Sequence, residues 1–344
     1  MKPSQLFEQL IAKKDLTASQ MQDVIHACMT GEFNDLQIAT FLALMRMKGE
    51  TANELTAAAK VMRHLAHPIN LGDNLIDIVG TGGDNKNTFN VSTASSFVVA
   101  AAGVRVAKHG NRSVSSRSGS ADLLEQAGFV LNLSDAHMKM CIKQCGLAFL
   151  FAPHYHPAMQ HARTARQQLG IRTLFNLLGP LINPAQVKKQ VVGVFSNSWL
   201  KPLATVLSNM GSERALVISS QDGLDEISIA APTEVVEYQD GLFKEWLIIP
   251  QDYGIKYRSL DAIIVDSPKQ SLKLIQSVLS GSPGPARDMV LLNSAAAIYC
   301  ATKDLSFASA LEQAKIAIDS GKAIECFDQL RLLTQTLNKE SHHE

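Results

Sequence analysis

Apolar positions in the first seventy residues recur at helical spacing, and each recurrence opens on a short polar side chain answered three residues later. Thr17 with Gln20, Asn34 with Gln37 and Thr51 with Glu54 have the spacing in which a capping side chain takes orphan helix N–H groups and the partner reaches back. Gly31 and Gly49 close the first two helices, the third runs to about Ala66, and Pro68 ends the set.

From Leu75 the period changes. Short, nearly continuous apolar runs at Leu75–Val79, Val104–Ala107, Leu147–Ala152, Gln190–Phe195 and Ala215–Ser219 alternate with helical patterns at Ser92–Ala102, Ala121–Ala127, Asp135–Cys145 and Leu200–Met210. Runs that short and that apolar fit strands buried on both faces of a mainly parallel sheet, and strand–helix alternation predicts an α/β fold. Asp240-Gly241 between Thr233–Tyr238 and Leu242–Ile249 signals a hairpin, and the chain from Ser267 is mostly helical. The expected organisation is a small helical domain over residues 1–70, joined by helices from about 156–178, and a larger α/β domain over 71–344.

Composition narrows the function without choosing it. Of 344 residues 46% are hydrophobic and 19% charged, with 32 basic and 32 acidic side chains, so formal net charge is zero. No global field draws the chain to nucleic acid or a membrane surface. No apolar run reaches the roughly 20 residues needed to span a bilayer, and Met1–Gln5 leads into an amphipathic pattern without a signal-peptide core. Cys28, Cys141, Cys145, Cys300 and Cys326 are odd in number and widely spaced, which predicts free thiols in a reducing cytoplasm. Cys141 and Cys145 can share a helix face, but no second pair of zinc spacing accompanies them.

Three stretches carry candidate chemistry. Gly80-Thr81-Gly82-Gly83-Asp84 follows a strand and precedes Asn90-Val91-Ser92-Thr93 at a helix start. Glycines there let backbone N–H groups approach an anion, and the helix dipole favours negative charge, so a phosphate or pyrophosphate suits the loop. It has neither the Walker nor the dinucleotide-binding spacing, and a bare Gly-rich turn is the plain alternative. Lys108 to Ser120, read as a loop after the second strand, adds cationic side chains and hydroxyls for a second anion cradle. Asp222-Gly223-Leu224-Asp225-Glu226 supplies adjacent carboxylates suited to Mg²⁺, which favours oxygen ligands and shares substrate phosphates. Alone it reads as an acidic surface turn; beside two anion cradles it reads as part of a metal-bridged pyrophosphate site.

GTGGD (80–84), NVST (90–93), KHGNRSVSS (108–116), GSAD (119–122), the Arg166 segment with GIRTLFNLLGPLINP (170–184) and DGLDE (222–226) together resemble the anthranilate phosphoribosyltransferase family over nearly the whole chain. The resemblance implies a nucleoside phosphorylase/phosphoribosyltransferase-like fold. It implies attack of the anthranilate amine on C1 of 5-phosphoribosyl 1-pyrophosphate with loss of pyrophosphate, a step of tryptophan biosynthesis. By this resemblance Gly80, Gly83, Asp84, Thr88, Asn90, Val91, Ser92 and Thr93 hold the sugar donor. Lys108, His109, Gly110, Asn111, Arg112, Ser113, Val114, Ser115, Ser116 and Ser120 complete that site. Ser92, Asp225 and Glu226 organise Mg²⁺, two ions per subunit. Gly80, Asn111 and Arg166 contact anthranilate, Arg166 through the substrate carboxylate. His109 and His156-Pro157 line the anthranilate entrance, and Leu177–Pro180 give its ring a wall. A homodimer through the helical domain is also implied, with Phe41–Met45 as either interface or internal core.

No general base is assigned, because an aromatic amine is already neutral at pH 7. Departures from the family's usual pattern are Ser219-Ser220 where a His-Gly pair is common, Gln168 near a common glutamate, and Asn85 at a common glycine. The first of these bears on the shape of the metal loop. Two other readings share the scaffold: a pyrimidine nucleoside phosphorylase, and a non-enzymatic nucleic-acid-binding relative with a basic groove and damaged substrate loops.

Overall fold

The computed structural model describes residues 2–84, 86–112 and 119–340. Four helices come first: α1 (Pro3–Ile11), α2 (Ala18–Thr30), α3 (Asp35–Lys48) and α4 (Ala52–Leu65). All three anticipated capping boxes form, with Gln20, Gln37 and Glu54 N–H groups donating to Thr17, Asn34 and Thr51 side chains. Glu54 is buried and also accepts from Lys48 Nζ at 2.9 Å and Leu16 N–H at 2.8 Å, so one carboxylate caps α4 and pins the α1–α2 connection.

The body follows as β1 (Leu75–Gly80), α5 (Val91–Ala101), β2 (Arg105–Gly110), α6 (Ser120–Gln126), α7 (Asp135–Cys145) and β3 (Leu147–Phe151). After the one-turn α8 (Ala152–Tyr155), the segment expected as helical over 156–178 is broken into a 3₁₀ turn (Pro157–Ala162), α9 (Arg163–Leu169) and α10 (Leu174–Leu178), and a further 3₁₀ turn follows to Leu181. Pro153, Pro157, Gly170 and Pro180 punctuate it, and proline interrupts the helical ladder. Then come β4 (Lys189–Gly193), α11 (Leu200–Asn209), β5 (Arg214–Ser220), the hairpin β6 (Thr233–Gln239) and β7 (Leu242–Ile248), and four helices: α12 (Pro268–Leu279), α13 (Pro285–Ala301), α14 (Phe307–Asp319) and α15 (Lys322–Glu340).

One seven-stranded sheet runs β3-β2-β1-β4-β5-β6-β7, parallel from β3 to β5 and antiparallel through the hairpin. Alternation along β5 shows why its apolar run is continuous. Leu216 and Ile218 enter the core beneath α5 and α13, while Ala215 and Val217 enter a second core shared with α11 and the N-terminal helices. The broken segment packs into that second core: α9 lies on α3, α10 on α4, and the first 3₁₀ turn on α2. Phe41, Leu42 and Met45 are buried there, so those three are internal core.

β2 extends through Gly110 because its pairing with β3 continues to Gly110 opposite Phe151. Lys108 and His109, read from sequence as loop residues, are therefore buried strand residues. All five cysteines are unpaired, and among the described residues no helix is long and apolar enough to cross a membrane.

Candidate active site

Chain order reverses direction across the sheet between β1 and β4: β2 and β3 lie on one side of β1, β4 and β5 on the other. A crevice at the carboxyl ends of such neighbouring strands is where open α/β sheets take ligands. Gly80-Thr81 leaves β1 there and Gly193-Val194 leaves β4, joined by Thr81 N–H donating to Gly193 O at 2.9 Å.

The loop after β5 closes over these strand ends. Ser220 N–H donates to Leu224 O, Gly223 N–H to Ser220 O, and Ser228 Oγ to Asp222 Oδ2 at 2.6 Å. Asn293 of α13 clamps its far end, accepting from Ile227 N–H and donating to Ile227 O, both at 2.9 Å. The loop is thus shaped mainly by backbone bonds, and Ser219-Ser220 fits it with both residues buried.

Asp225 lands directly on the two glycines. A side-chain carbon on Gly193 would fall 1.6 Å from Asp225 O, and one on Gly80 would fall 2.4 Å from Asp225 Oδ2. Neither position tolerates a side chain without moving the acidic loop. This gives Gly80 a structural reason beyond ligand contact, and adds Gly193, which sequence reading passed over inside an apolar strand.

Gly82 N–H donates to Asp225 Oδ2 at 2.6 Å, and Ser92 N–H, in the first turn of α5, donates to Glu226 Oε1 at 3.1 Å. The loop and the helix start therefore already donate to carboxyl oxygens. Lys108 Nζ donates to Ser92 Oγ at 3.1 Å and Ile78 O at 2.7 Å. Burial pushes the Glu226 carboxyl up to about 7, against the pull of Lys108, and burial together with Asp84 and Glu226 holds Asp225 well above the carboxylate range. Burial also lowers the Lys108 ammonium, opposed by Asp77 and Glu226. Asp84, Asp225, Glu226 and Ser92 offer only oxygen ligands, the chemistry of a hard divalent ion. Among the described residues no group of three His, Cys, Asp or Glu side chains forms a ready metal cage. Mg²⁺ keeps waters and takes one or two carboxylates plus substrate phosphates.

The remaining expected donor residues divide. Asn90 is held by Ser271 of α12, whose Oγ donates to Asn90 Oδ1 at 2.8 Å and accepts from Asn90 N–H at 3.0 Å. Thr88 pairs with Ile264 in an isolated bridge. Val91 and Thr93 are buried, and Val91 N–H is spent on Phe89 O, so Val91 serves the core. Arg112 bonds Glu125 through both terminal nitrogens and lies over Phe151, turned toward α6. Ser120 Oγ donates to Asn111 O at 3.2 Å. Ser113, Val114, Ser115 and Ser116, and the departure at Asn85, lie outside the described residues.

Beside this charged region is a neutral one. The His109 and His156 rings lie 5.2 Å apart, both buried. Burial, with the His156 imidazole beside it, pulls His109 down to about 3; burial pulls His156 down to about 4. His109 Nε2 and Tyr155 Oη are buried without a hydrogen-bond partner among the described residues. Asp77 fixes this side from below: it accepts from His109 N–H at 3.1 Å and from Asn183 Nδ2 at 2.8 Å, while Asn183 also donates to Ala107 O. Arg166 on α9 lies over the Phe175 ring at 5.5 Å; burial lowers its guanidinium, and among the described residues it has no ion pair. A guanidinium has the planar donor geometry that pairs with a carboxylate.

Sequence reading also missed Asp77 and Arg172. A lone carboxylate inside the apolar run Leu75–Val79 was a usable signal, since an ionisable group there needs partners.

The helical bundle domain of the glycosyl transferase family matches residues 4–66, and that family's a/b domain matches residues 72–324. The chain is 79% identical over 344 residues to an anthranilate phosphoribosyltransferase of Legionella pneumophila (strain Lens), covering 100% of both. It is 53% identical over 317 residues to that of Thioalkalivibrio sulfidiphilus, covering 92% of this chain and 94% of the relative. Its fold superposes on anthranilate phosphoribosyltransferase from Thermus thermophilus with a TM-score of 0.89 at 38% identity, covering 96% and 99% of the two chains. The Saccharomyces cerevisiae enzyme, solved in complex with PRPP and Mg, gives a TM-score of 0.88 at 25% identity over 97% and 98%. With both domains matched and identity of this order along its full length, the chain belongs to the anthranilate phosphoribosyltransferase family.

Proposed function

We infer that this protein transfers the 5-phosphoribosyl group of 5-phosphoribosyl 1-pyrophosphate to the amine of anthranilate, giving N-(5-phosphoribosyl)anthranilate and pyrophosphate in tryptophan biosynthesis. The observation that carries this reading is the meeting of a glycine loop, a helix N-terminus, Lys108 and the Asp225–Glu226 pair at the strand reversal. The bond from C1 to pyrophosphate breaks as the bond from C1 to nitrogen forms. Positive charge develops on the sugar and negative charge on the leaving group, so the enzyme gains most by stabilising the latter and aligning the amine.

In this reading Gly80, Gly83, Asp84, Thr88, Asn90, Ser92 and Thr93 with Lys108–Asn111 surround the donor. Asp225, Glu226 and Ser92 are the proposed Mg²⁺ ligands, two ions per subunit. Bound Mg²⁺ would supply positive charge to the pyrophosphate oxygens. The carboxylates now accepting from Gly82 and Ser92 would turn to the cation, leaving those N–H groups for phosphate. Arg166 receives the anthranilate carboxylate, with Asn111 and Gly80 beside the ring. The neutral His109–His156 pair gives that region a wall without charge; the neutral amine attacks through its lone pair without prior deprotonation, and the proton it sheds once the C1–N bond has formed passes to water or the departing pyrophosphate.

The division into a 1–70 helical domain, joined by 156–178, and a 71–344 body is part of the proposal; the packing of α9 on α3 and α10 on α4 supports it, while the core they share also takes in β5 and α11. A homodimer through the helical domain is part of the proposal, with a cytoplasmic location. Leu36 and Met47 of α3 are 76% and 75% exposed and Ile11 of α1 is 60% exposed, an apolar face that a second copy would cover. Fluorescence-monitored anthranilate consumption, with and without donor and Mg²⁺, tests the function. Consumption should require all three. Phosphorolysis of thymidine or uridine without anthranilate turnover would replace it with the phosphorylase reading, and salt-sensitive nucleic-acid binding without turnover with the other relative.

A further inference from the structure

Arg172 stands between the two halves of the site. It belongs to the turn between α9 and α10, six residues after Arg166, so by chain position it goes with the acceptor side. Its contacts are with the donor side instead. Its Nη2 donates to Gly83 O, and its guanidinium lies over the Phe195 ring just beyond β4, 4.4 Å from the centroid. A side-chain carbon on Gly83, whose φ is +78°, would fall 3.1 Å from Arg172 Nε. Among the described residues Arg172 makes no ion pair, so its charge is not spent on a carboxylate.

We infer that Arg172 is a positioning residue for the glycine loop, fastening the acceptor-bearing segment to the donor-binding peptide. The physical basis is the planar trans peptide: fixing the direction of the Gly83 carbonyl fixes the N–H of Asp84 in the opposite direction. A loop of consecutive glycines has no side-chain packing of its own to set that orientation. Phe195 holds the guanidinium plane, leaving a rigid fork to grip one carbonyl. The unpaired charge also stands next to the loop that takes an anion. The inference rests on the donor-binding role proposed for residues 80–93.

The test is steady-state kinetics of Arg172→Ala, Arg172→Lys and Phe195→Leu, with calorimetric titration of the wild type by Mg²⁺ and 5-phosphoribosyl 1-pyrophosphate. A charge-assisted hydrogen bond sets the scale. Arg172→Ala should raise the donor KM about tenfold or more while the anthranilate KM stays within about twofold. Arg172→Lys should recover only part, because an ammonium lacks the stacked fork. Phe195→Leu should shift the same constant, and the effects of Arg172→Ala and Phe195→Leu should be less than additive in combination. If Arg172→Ala does not fold, Phe195→Leu carries the same donor-selective expectation. Equal rises in both KM values, or an unchanged donor KM, would overturn the role of Arg172 alone. A wild type that does not bind the donor would overturn the loop assignment beneath it.

Discussion

The proposed donor and acceptor sides of the site are built from opposite materials. The donor side is backbone and charge: two strand ends, a glycine loop, a helix start, one buried lysine and two carboxylates, tied by Gly82–Asp225 and Ser92–Glu226 hydrogen bonds. The proposed acceptor side is side chains from the end of β2 and the short, proline-broken pieces after β3: two neutral histidines, one arginine without an ion pair among the described residues, and buried polar atoms without partners. The contrast matches the ligands. A diphosphate asks for many N–H groups and cations in fixed directions, whereas a small aromatic acid asks for a flat apolar surround and one cation.

If that division is right, damage should separate by substrate. The largest effect is expected from Asp225→Asn with Glu226→Gln, which keeps the volume and removes the charge. Turnover should fall on the order of a thousandfold, as when groups that stabilise developing charge are removed. The Mg²⁺ response measured in the same fluorescence assay should flatten, and an unchanged Mg²⁺ titration would exclude these carboxylates as ligands. Next, Arg166→Ala should raise the anthranilate KM by roughly 10- to 100-fold, the scale of a lost charged hydrogen-bond partner. The donor KM should move little; the reverse pattern would put Arg166 on the wrong side of the comparison.

The neutral half should show itself in stability against pH. His109 and His156 titrate near 3 and 4 in the fold, from an ordinary value of 6.5. Above pH 6.5 neither folded nor unfolded imidazole is charged, so the pair contributes nothing there. Below 6.5 the unfolded chain takes protons the fold refuses, and stability falls by about 1.4 kcal/mol per pH unit for each histidine. The loss levels off only near pH 4 for His156 and near pH 3 for His109. Asp77, pushed up to about 6 by burial, acts with the opposite sign, so the histidines are read as a difference. Denaturant unfolding of the wild type should lose stability faster than His109→Gln/His156→Gln between pH 6.5 and 4.5. Parallel curves would mean the histidines are not held neutral. The smallest effect is expected from Ser220→Ala. Backbone bonds shape the acidic loop, and the Ser220 hydroxyl adds only a 3.4 Å contact with Pro232 O. The Mg²⁺ midpoint should change by no more than about twofold, within the scale of one weak hydrogen bond.

The same contrast explains what could be read from sequence. The donor side was legible because backbone constraints force residue types: glycines at 80, 82 and 83, polar residues at the start of α5, and carboxylates grouped in one turn all leave local patterns. The capping boxes and the Asp240-Gly241 hairpin were legible for the same reason. On the acceptor side Arg166 and His156 come only from the family resemblance, and Asp77 and Asn183, which meet across 106 residues, leave no local period along the chain. Gly193 was invisible because its reason is the distant Asp225 carbonyl. The end of β2 was misplaced because pairing with β3 overrode the polarity of Lys108 and His109. Arg172 falls inside the 170–184 motif, but nothing along the chain says that it faces Gly83.

The central claim is that residues 80–93 and the Asp225–Glu226 pair hold the departing pyrophosphate. A crystal structure with 5-phosphoribosyl 1-pyrophosphate and Mg²⁺ tests it most directly. The account predicts the diphosphate against the Gly82–Asp84 and Ser92 backbone, with Asp225 and Glu226 turned to the cation. A donor bound elsewhere, with the Gly82–Asp225 and Ser92–Glu226 hydrogen bonds undisturbed, would contradict it.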